Sequence, residues 1–155
     1  MPREIAGTQD GTGLRVGIVV ARYNAFITER LLAGALATLR ECAVADDRIT
    51  LVRVPGAFEL PLAARELAVR GELDAIICLG AVIRGGTPHF EYVSQAATDG
   101  LRSVMLEFGL PVGFGVLTTN TAEQAVERSD EGSRNKGAEA VRTVIEMVRV
   151  LRALR

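Results

Sequence analysis

The only histidine of the chain lies in a glycine-rich loop, in the segment GAVIRGGTPH at residues 80–89. An apolar run before the loop predicts a buried strand. Imidazole titrates near neutral pH, so His89 is a candidate general acid or base. Backbone N–H groups at Gly86 and Thr87, just before a predicted helix, could bind an anion together with the threonine hydroxyl. The loop therefore predicts proton transfer beside an anion site, although a lone histidine can also be purely structural.

Three further loops follow predicted strands and carry unusual sets of residues. Tyr23 follows the first strand, where its ring could stack on a planar heterocycle or merely cover the sheet edge. Residues 56–59 follow the second strand, where a glycine and the N–H groups of a helix start could bind a flat ligand or form a plain turn. Arg128 and Lys136 flank a polar loop after the fourth strand. They could hold a phosphate or could be solvated cations at helix ends.

The elements that must position these loops alternate between strand and helix. Runs of β-branched residues and helical spacing of apolar residues predict strands at 14–21, 49–54, 73–82 and 112–117, and helices at 26–41, 58–70, 90–108, 121–128 and 136–154. Strand–helix units in series require crossovers and hence parallel strands. We therefore predict a three-layer α/β/α sandwich of the flavodoxin-like type with a four-stranded parallel sheet. Residues 1–155 are expected to form one domain.

Two segments are expected to meet a neighbouring subunit. Residues 1–13 are polar and read as an arm that could add an edge strand to a neighbour's sheet. The helix predicted at 90–108 carries a broad apolar stripe, which favours burial on two sides and hence a subunit contact. A central helix in a monomer is the alternative.

Composition argues against several classes of function. The chain has 155 residues, of which 48% are hydrophobic and 24% charged, and its formal net charge is −1, so it lacks the basic field of a nucleic-acid binder. No apolar run reaches the roughly 20 residues of a membrane span, and no signal-peptide pattern opens the sequence, so we expect no membrane association and a cytoplasmic location. The two isolated cysteines, Cys42 and Cys78, lack the spacing of a zinc site and predict buried reduced thiols.

The strand-end loops together resemble the lumazine synthase family over residues 13–151. The segments that carry the resemblance are RYN at 22–24, VPGAFELP at 54–61, GAVIRGGT at 80–87 with His89 and YV at 92–93, FGVLTT at 114–119, EQA at 123–125, ER at 127–128 and NKG at 135–137. The resemblance implies a transferase of riboflavin biosynthesis that needs no metal or organic cofactor. Its two small-molecule substrates would be 5-amino-6-(D-ribitylamino)uracil and 3,4-dihydroxy-2-butanone 4-phosphate, and its product 6,7-dimethyl-8-ribityllumazine.

The resemblance also implies roles for individual residues. His89 matches the family's general acid/base. The residues that match the pyrimidine and ribityl site are Tyr23, Ala57, Phe58, Glu59, Ala81, Val82, Ile83 and Phe114. The residues that match the phosphate site are Gly86, Thr87, Arg128 and Lys136. Phe114 and Arg128 are implied to reach the site from an adjacent subunit.

The family resemblance further implies a homo-oligomer. Family members form pentamers, some of them assembled into icosahedral shells of twelve pentamers, and riboflavin synthase is a candidate partner. The length of the segment after Arg128 is that of shell formers. Two features depart from the family pattern: Tyr23 replaces a phenylalanine or tryptophan, and SDEGSR at 129–134 replaces AGTKAG. The added acids could disturb contacts between pentamers.

Two other functions share this resemblance. One is a catalytically idle flavin or lumazine binder, or a shell built for encapsulation. The other is the related archaeal-type riboflavin synthase, which has the same fold. The presence of His89, Arg128, Gly86 and Thr87 favours lumazine synthase over both.

Overall fold

A computed structural model describes residues 1–132 and 134–155 of the chain. The strands in this part are β1 (Val16–Ala21), β2 (Ile49–Val54), β3 (Ala75–Ile83) and β4 (Val112–Thr119). The helices are α1 (Ala25–Glu41), α2 (Leu60–Val69), α3 (His89–Phe108), α4 (Ala122–Arg128) and α5 (Lys136–Leu154), with 3-10 turns at Asp46–Arg48 and Ala57–Glu59. None of the helices in the described residues is both long and apolar enough to cross a membrane.

The strands form one sheet in the order β2-β1-β3-β4, and every pair of neighbours is parallel. This is the strand order at the start of a flavodoxin-like sheet. β1 and β3 are neighbours, yet the chain leaves β1 toward β2 and leaves β3 toward β4. Ligands in such sheets bind at the carboxyl ends of the strands beside this switch point. The predicted fold class is confirmed.

Two apolar cores lie on opposite faces of the sheet. One core includes Leu31 of α1 and Val141 of α5, and the other includes Leu60 of α2 and Leu101 of α3. α5 packs closely on α1 because Gly137 has no side chain: a Cβ there would lie 2.2 Å from the backbone oxygen of Leu31. The glycine of the NKG segment is thus explained by packing between two helices.

Several predicted boundaries differ from the structure. The helix predicted at 58–70 begins as the 3-10 turn Ala57–Glu59 and becomes α-helical only at Leu60, where Pro61 favours the first turn of a helix. β3 and β4 run to Ile83 and Thr119, beyond their predicted ends, because the ladder between them continues to that pair. The capping box predicted from Thr121 is present at the start of α4.

Residues 1–13 contain no strand in the structure and instead lie along α5. Gln9 Nε2 donates a hydrogen bond of 3.2 Å to the backbone oxygen of Arg142, and Arg149 Nε donates one of 2.8 Å to that of Asp10. These contacts fix the arm to its own chain. The added edge strand in a neighbouring sheet therefore stays a prediction.

Candidate active site

A cleft of about 730 Å³ opens at the carboxyl ends of β1, β2 and β3, beside the switch point of the sheet. The residues proposed from sequence that line it are Tyr23, Ala57, Phe58, Glu59, Ala81, Val82, Ile83, Thr87 and His89. Further lining residues, which were not among the predicted site residues, are Asn24, Pro55, Gly56, Gly85, Phe90, Tyr92 and Val93. Three strand-end loops that are distant in sequence thus converge on one cavity.

Tyr23 is held at the cleft by a hydrogen bond from its own backbone and by one from the side chain of the next residue, Asn24. The N–H of Tyr23 donates to the backbone oxygen of Pro55 at 2.9 Å, which extends the β1–β2 pairing past the strand ends. Asn24 has a left-handed backbone with φ 62°, and its Nδ2 donates to the backbone oxygen of Ala81 at 2.8 Å. Asparagine tolerates this conformation better than most residues. Tyr23 remains 74% exposed in the cleft wall.

The second wall is the turn that follows β2. Ala57 is buried, whereas Phe58 is 62% exposed. A Cβ on Gly56 would lie 3.3 Å from Glu59 Oε1 and 4.0 Å from Tyr23 Cβ, so the glycine keeps this corner open. Large rings are usually buried in the folded chain. The exposed aromatic residues Tyr23 and Phe58, together with Tyr92 of α3, therefore form a surface suited to a planar ligand.

The floor and the third wall come from β3 and the loop after it. Ala81 and Val82 are buried, and Thr87 and His89 are exposed, with His89 as the first residue of α3. Gly85 and Gly86 lack positive φ, and a Cβ on either would meet no atom within 4 Å. The fold itself therefore does not require glycine at these positions. Their small size leaves the backbone open to approach by a ligand.

Arg84 makes three side-chain contacts beside this loop, with Glu91, Asn120 and Phe90. Its Nη1 donates to Glu91 Oε1, and this hydrogen bond is the main reason that the pKa of Glu91 is lowered from its usual value. Its Nε donates to Asn120 Oδ1 at 2.8 Å, and its guanidinium lies 4.4 Å from the centroid of the Phe90 ring. Arg84 was part of the sequence motif, but its partners come from separate elements that only the fold brings together.

Four predicted site residues do not line the cleft of this chain: Gly86, Phe114, Arg128 and Lys136. Gly86 lies in the cleft loop between two lining residues. Phe114 is on the edge strand β4 and is 38% exposed. Arg128 ends α4, where its Nη1 donates to the backbone oxygen of Gln124 at 3.2 Å. Lys136 begins α5 and pairs with Glu139 Oε1 at 3.0 Å.

The loop between Arg128 and Lys136 is anchored by Asn135, which is 2% exposed. Its Oδ1 accepts from the N–H of Ala138 at 3.0 Å and caps α5. Its Nδ2 donates to the backbone oxygens of Arg30 at 3.1 Å and Ser129 at 3.0 Å. In the segment 129–134, whose sequence departs from the family pattern, Asp130 forms an ion pair with Arg30. Ser133 lies outside the described residues. Asn135 was missed as a site-building residue, although an asparagine before a helix is a recognisable cap.

The lining of the cleft suits an organic ligand with a flat ring. The walls carry aromatic and small apolar side chains, and His89 and Thr87 supply a titratable ring and a hydroxyl near the start of α3. Within residues 1–132 and 134–155, no group of three or more His, Cys, Asp or Glu side chains is placed to hold a metal ion. The residues that line the cleft can bind and orient a ligand and exchange protons with it.

The sequence model of the 6,7-dimethyl-8-ribityllumazine synthase family matches residues 13–152. Because this match covers most of the 155 residues, the chain belongs to that family. The family consists of lumazine synthases, transferases of riboflavin biosynthesis. The resemblance inferred from the strand-end loops is thereby confirmed.

Proposed function

We propose that the protein condenses 5-amino-6-(D-ribitylamino)uracil with 3,4-dihydroxy-2-butanone 4-phosphate to give 6,7-dimethyl-8-ribityllumazine and phosphate, without a cofactor. This is the penultimate step of riboflavin biosynthesis. The observation that carries the proposal is the convergence of three loops on one cleft: the exposed aromatic residues Tyr23 and Phe58, a glycine–threonine loop and the only histidine. We further propose that residues 1–155 act as one domain in the cytoplasm, and that riboflavin synthase is a partner because it would consume the product.

The pyrimidine is proposed to stack on Tyr23, with Phe58 on the neighbouring wall. Both rings are more than half exposed although they belong to ordered loops. The turn Ala57–Glu59 would offer backbone groups to the pyrimidine and the ribityl chain, and the apolar residues 81–83 would support them from below. This arrangement matches a substrate with one flat ring and one polar chain.

The phosphate group of the substrate is proposed to bind at Gly86 and Thr87. A second subunit is proposed to complete this phosphate site. The lining residues of the described chain include no arginine or lysine, yet a phosphate bound at an open cleft needs a cation. Arg128, Lys136 and Phe114 lie on other surfaces, and we infer that they reach the cleft of an adjacent subunit. The exposed Tyr92 and Leu106 on α3 support such contacts, which we assign to a pentamer or a shell of pentamers.

The proposed reaction depends more on holding the two substrates in position than on a strong acid or base. The pyrimidine's 5-amino group attacks the ketone of the second substrate, and loss of water gives an imine. Loss of a proton from the neighbouring carbon and elimination of phosphate then give an enol, which tautomerises to a new ketone. Attack of the ribitylamino nitrogen on this ketone, with loss of a second water, closes the ring. Holding both substrates together raises their effective concentration. His89 would move protons in these steps, a contribution of roughly 10²–10⁴-fold.

Two activity experiments on one preparation test this proposal against its two alternatives. The purified protein is mixed with both substrates, and lumazine formation is followed by absorbance. Lumazine is then offered alone. Lumazine formation in the first experiment supports the proposal, whereas riboflavin formation in the second would identify a riboflavin synthase. A protein that forms neither product would be a binder or shell, and light scattering of the same sample measures the size of the assembly.

Variants test the residue roles. His89→Ala should slow turnover without abolishing it, because the attacking amine is already nucleophilic. Arg128→Ala should cost more, because phosphate is both the anchor and the leaving group. Arg40→Ala, an exposed arginine paired with Asp46 at the far end of α1, is the control. A wild-type rate for His89→Ala across the pH range would refute the acid–base role. Unchanged substrate affinity and turnover in Arg128→Ala would refute the phosphate role.

A further inference from the structure

We propose that Arg84 is a positioning residue: its side chain braces the loop 85–88 from outside, so that the phosphate site and His89 keep one geometry. The inference rests on the proposed function and adds a residue that acts through other groups. Arg84 itself does not line the cleft. Its guanidinium instead pairs with Glu91, in the first turn of α3.

One end of the brace is fixed to β4 and the turn after it. The backbone N–H of Arg84 donates to the backbone oxygen of Thr119 at 2.8 Å, and its Nε donates to Asn120 Oδ1 at 2.8 Å. Asn120 is itself held, because its N–H donates at 2.8 Å to Gln124 Oε1, the oxygen that also accepts from Thr121 in the capping box of α4. Arg84 is thereby anchored to a turn that is fixed by its own hydrogen bonds.

The other end of the brace holds the first turn of α3. The guanidinium lies 4.4 Å from the centroid of the Phe90 ring and donates to Glu91, so it contacts the two residues directly after His89. A planar guanidinium can stack by its face while it donates from its edge, which an ammonium cannot do. The Glu91 carboxylate is also favoured at this helix start by the helix dipole.

The loop between these two ends has little packing of its own. A Cβ on Gly85 or Gly86 would meet no atom within 4 Å, and Thr87, Pro88 and His89 are exposed. Its geometry therefore depends on how its ends are held. Because misplacement of a reacting group by about 1 Å can cost about 100-fold in rate, loosening the ends should weaken phosphate binding and slow turnover.

Three variants and a control test this role. Arg84→Ala removes all side-chain contacts of Arg84. Arg84→Lys keeps the positive charge but lacks the planar group that stacks on Phe90, and Asn120→Ala removes the acceptor of the hydrogen bond from Arg84 Nε. Arg70→Ala is the control, because Arg70 also forms an ion pair at the surface, with Glu72 at the opposite end of the sheet. The measurements are kcat and KM for each substrate, binding of inorganic phosphate, and hydrogen exchange of the peptide that contains residues 84–91.

We expect Arg84→Ala to bind inorganic phosphate about tenfold more weakly and to lose about 10- to 100-fold in kcat/KM for the phosphate substrate. KM for the pyrimidine should stay within about twofold, and the loop peptide should exchange faster. Arg84→Lys and Asn120→Ala should fall between Arg84→Ala and the wild type, and both remain informative if Arg84→Ala fails to fold.

Two results with the variants would overturn the inference. In one, the Arg84 and Asn120 variants behave like Arg70→Ala in phosphate binding and in exchange. In the other, Arg84→Ala loses affinity for both substrates equally, which would indicate a general distortion. If the wild type forms no lumazine, the proposed reaction is refuted, but phosphate binding and loop exchange still decide the role of Arg84. A wild type that binds no phosphate would refute the inference as well.

Discussion

Replacement of Asn135 by alanine should destabilise the protein by about 3 kcal/mol. The change removes the cap of α5, which is worth about 1 kcal/mol. It also removes two hydrogen bonds from Nδ2, to the backbone oxygens of Arg30 and Ser129, each worth about 0.5–1.5 kcal/mol. Because Asn135 is 2% exposed, water cannot easily replace these donors. For a chain of this size, the loss corresponds to a fall in Tm of about 6–12 °C.

The assay is thermal unfolding at pH 7, followed by circular dichroism at fixed protein concentration. Asn135→Asp separates the two contributions, because an aspartate keeps the cap and suits the helix dipole but loses both donors. Gln9→Ala is the control, because this exposed amide donates one hydrogen bond to the backbone of α5 at 3.2 Å. The aspartate variant should retain the cap but still melt below the wild type.

The reasoning would be refuted by a Tm of Asn135→Ala within about 1 °C of the control. A wild-type Tm for Asn135→Asp would show that the cap alone matters and that the two bridging hydrogen bonds contribute nothing. If Arg128 and Lys136 bind phosphate as proposed, Asn135→Ala should also raise KM for the phosphate substrate more than KM for the pyrimidine, because Asn135 holds the loop between them.

Three further predictions concern stacking, thiol reactivity and packing. Tyr23→Phe should bind the pyrimidine substrate nearly as well as the wild type and Tyr23→Ala about tenfold more weakly, as measured by KM; equal losses would exclude stacking. Burial raises the pKa of the Cys78 thiol, which is fully buried, so iodoacetamide at pH 8 should leave it unmodified until the chain unfolds, and fast labelling of native protein would contradict this. Gly137→Ala should lower stability by about 1–3 kcal/mol because its Cβ would overlap the Leu31 backbone, whereas Gly86→Ala, in open space, should leave Tm unchanged or slightly higher.

The fold and most of the cleft were accessible from the sequence because their signals are local. Apolar runs such as residues 73–82 identify buried strands, and strand–helix alternation requires a parallel sheet. The carboxyl ends of such strands share one edge, so Tyr23 and His89 could be expected near each other before any coordinates. Element ends were less predictable, because β4 is extended to Thr119 by pairing with β3 and not by a local signal.

The sequence by itself determined the order of the elements, the cleft loops and the family, because these depend on residue type and spacing. Only the tertiary structure decided which hydrogen bonds hold the loops. Asn24 donates to the backbone of Ala81, and Arg84 donates to Asn120 and Glu91. Asn135 donates to two backbone oxygens. It also separated Phe114, Arg128 and Lys136 from the cleft of their own chain. The reason is physical, since a hydrogen bond between residues distant in sequence depends on where packing brings the backbone, and no pattern of neighbours along the chain records that.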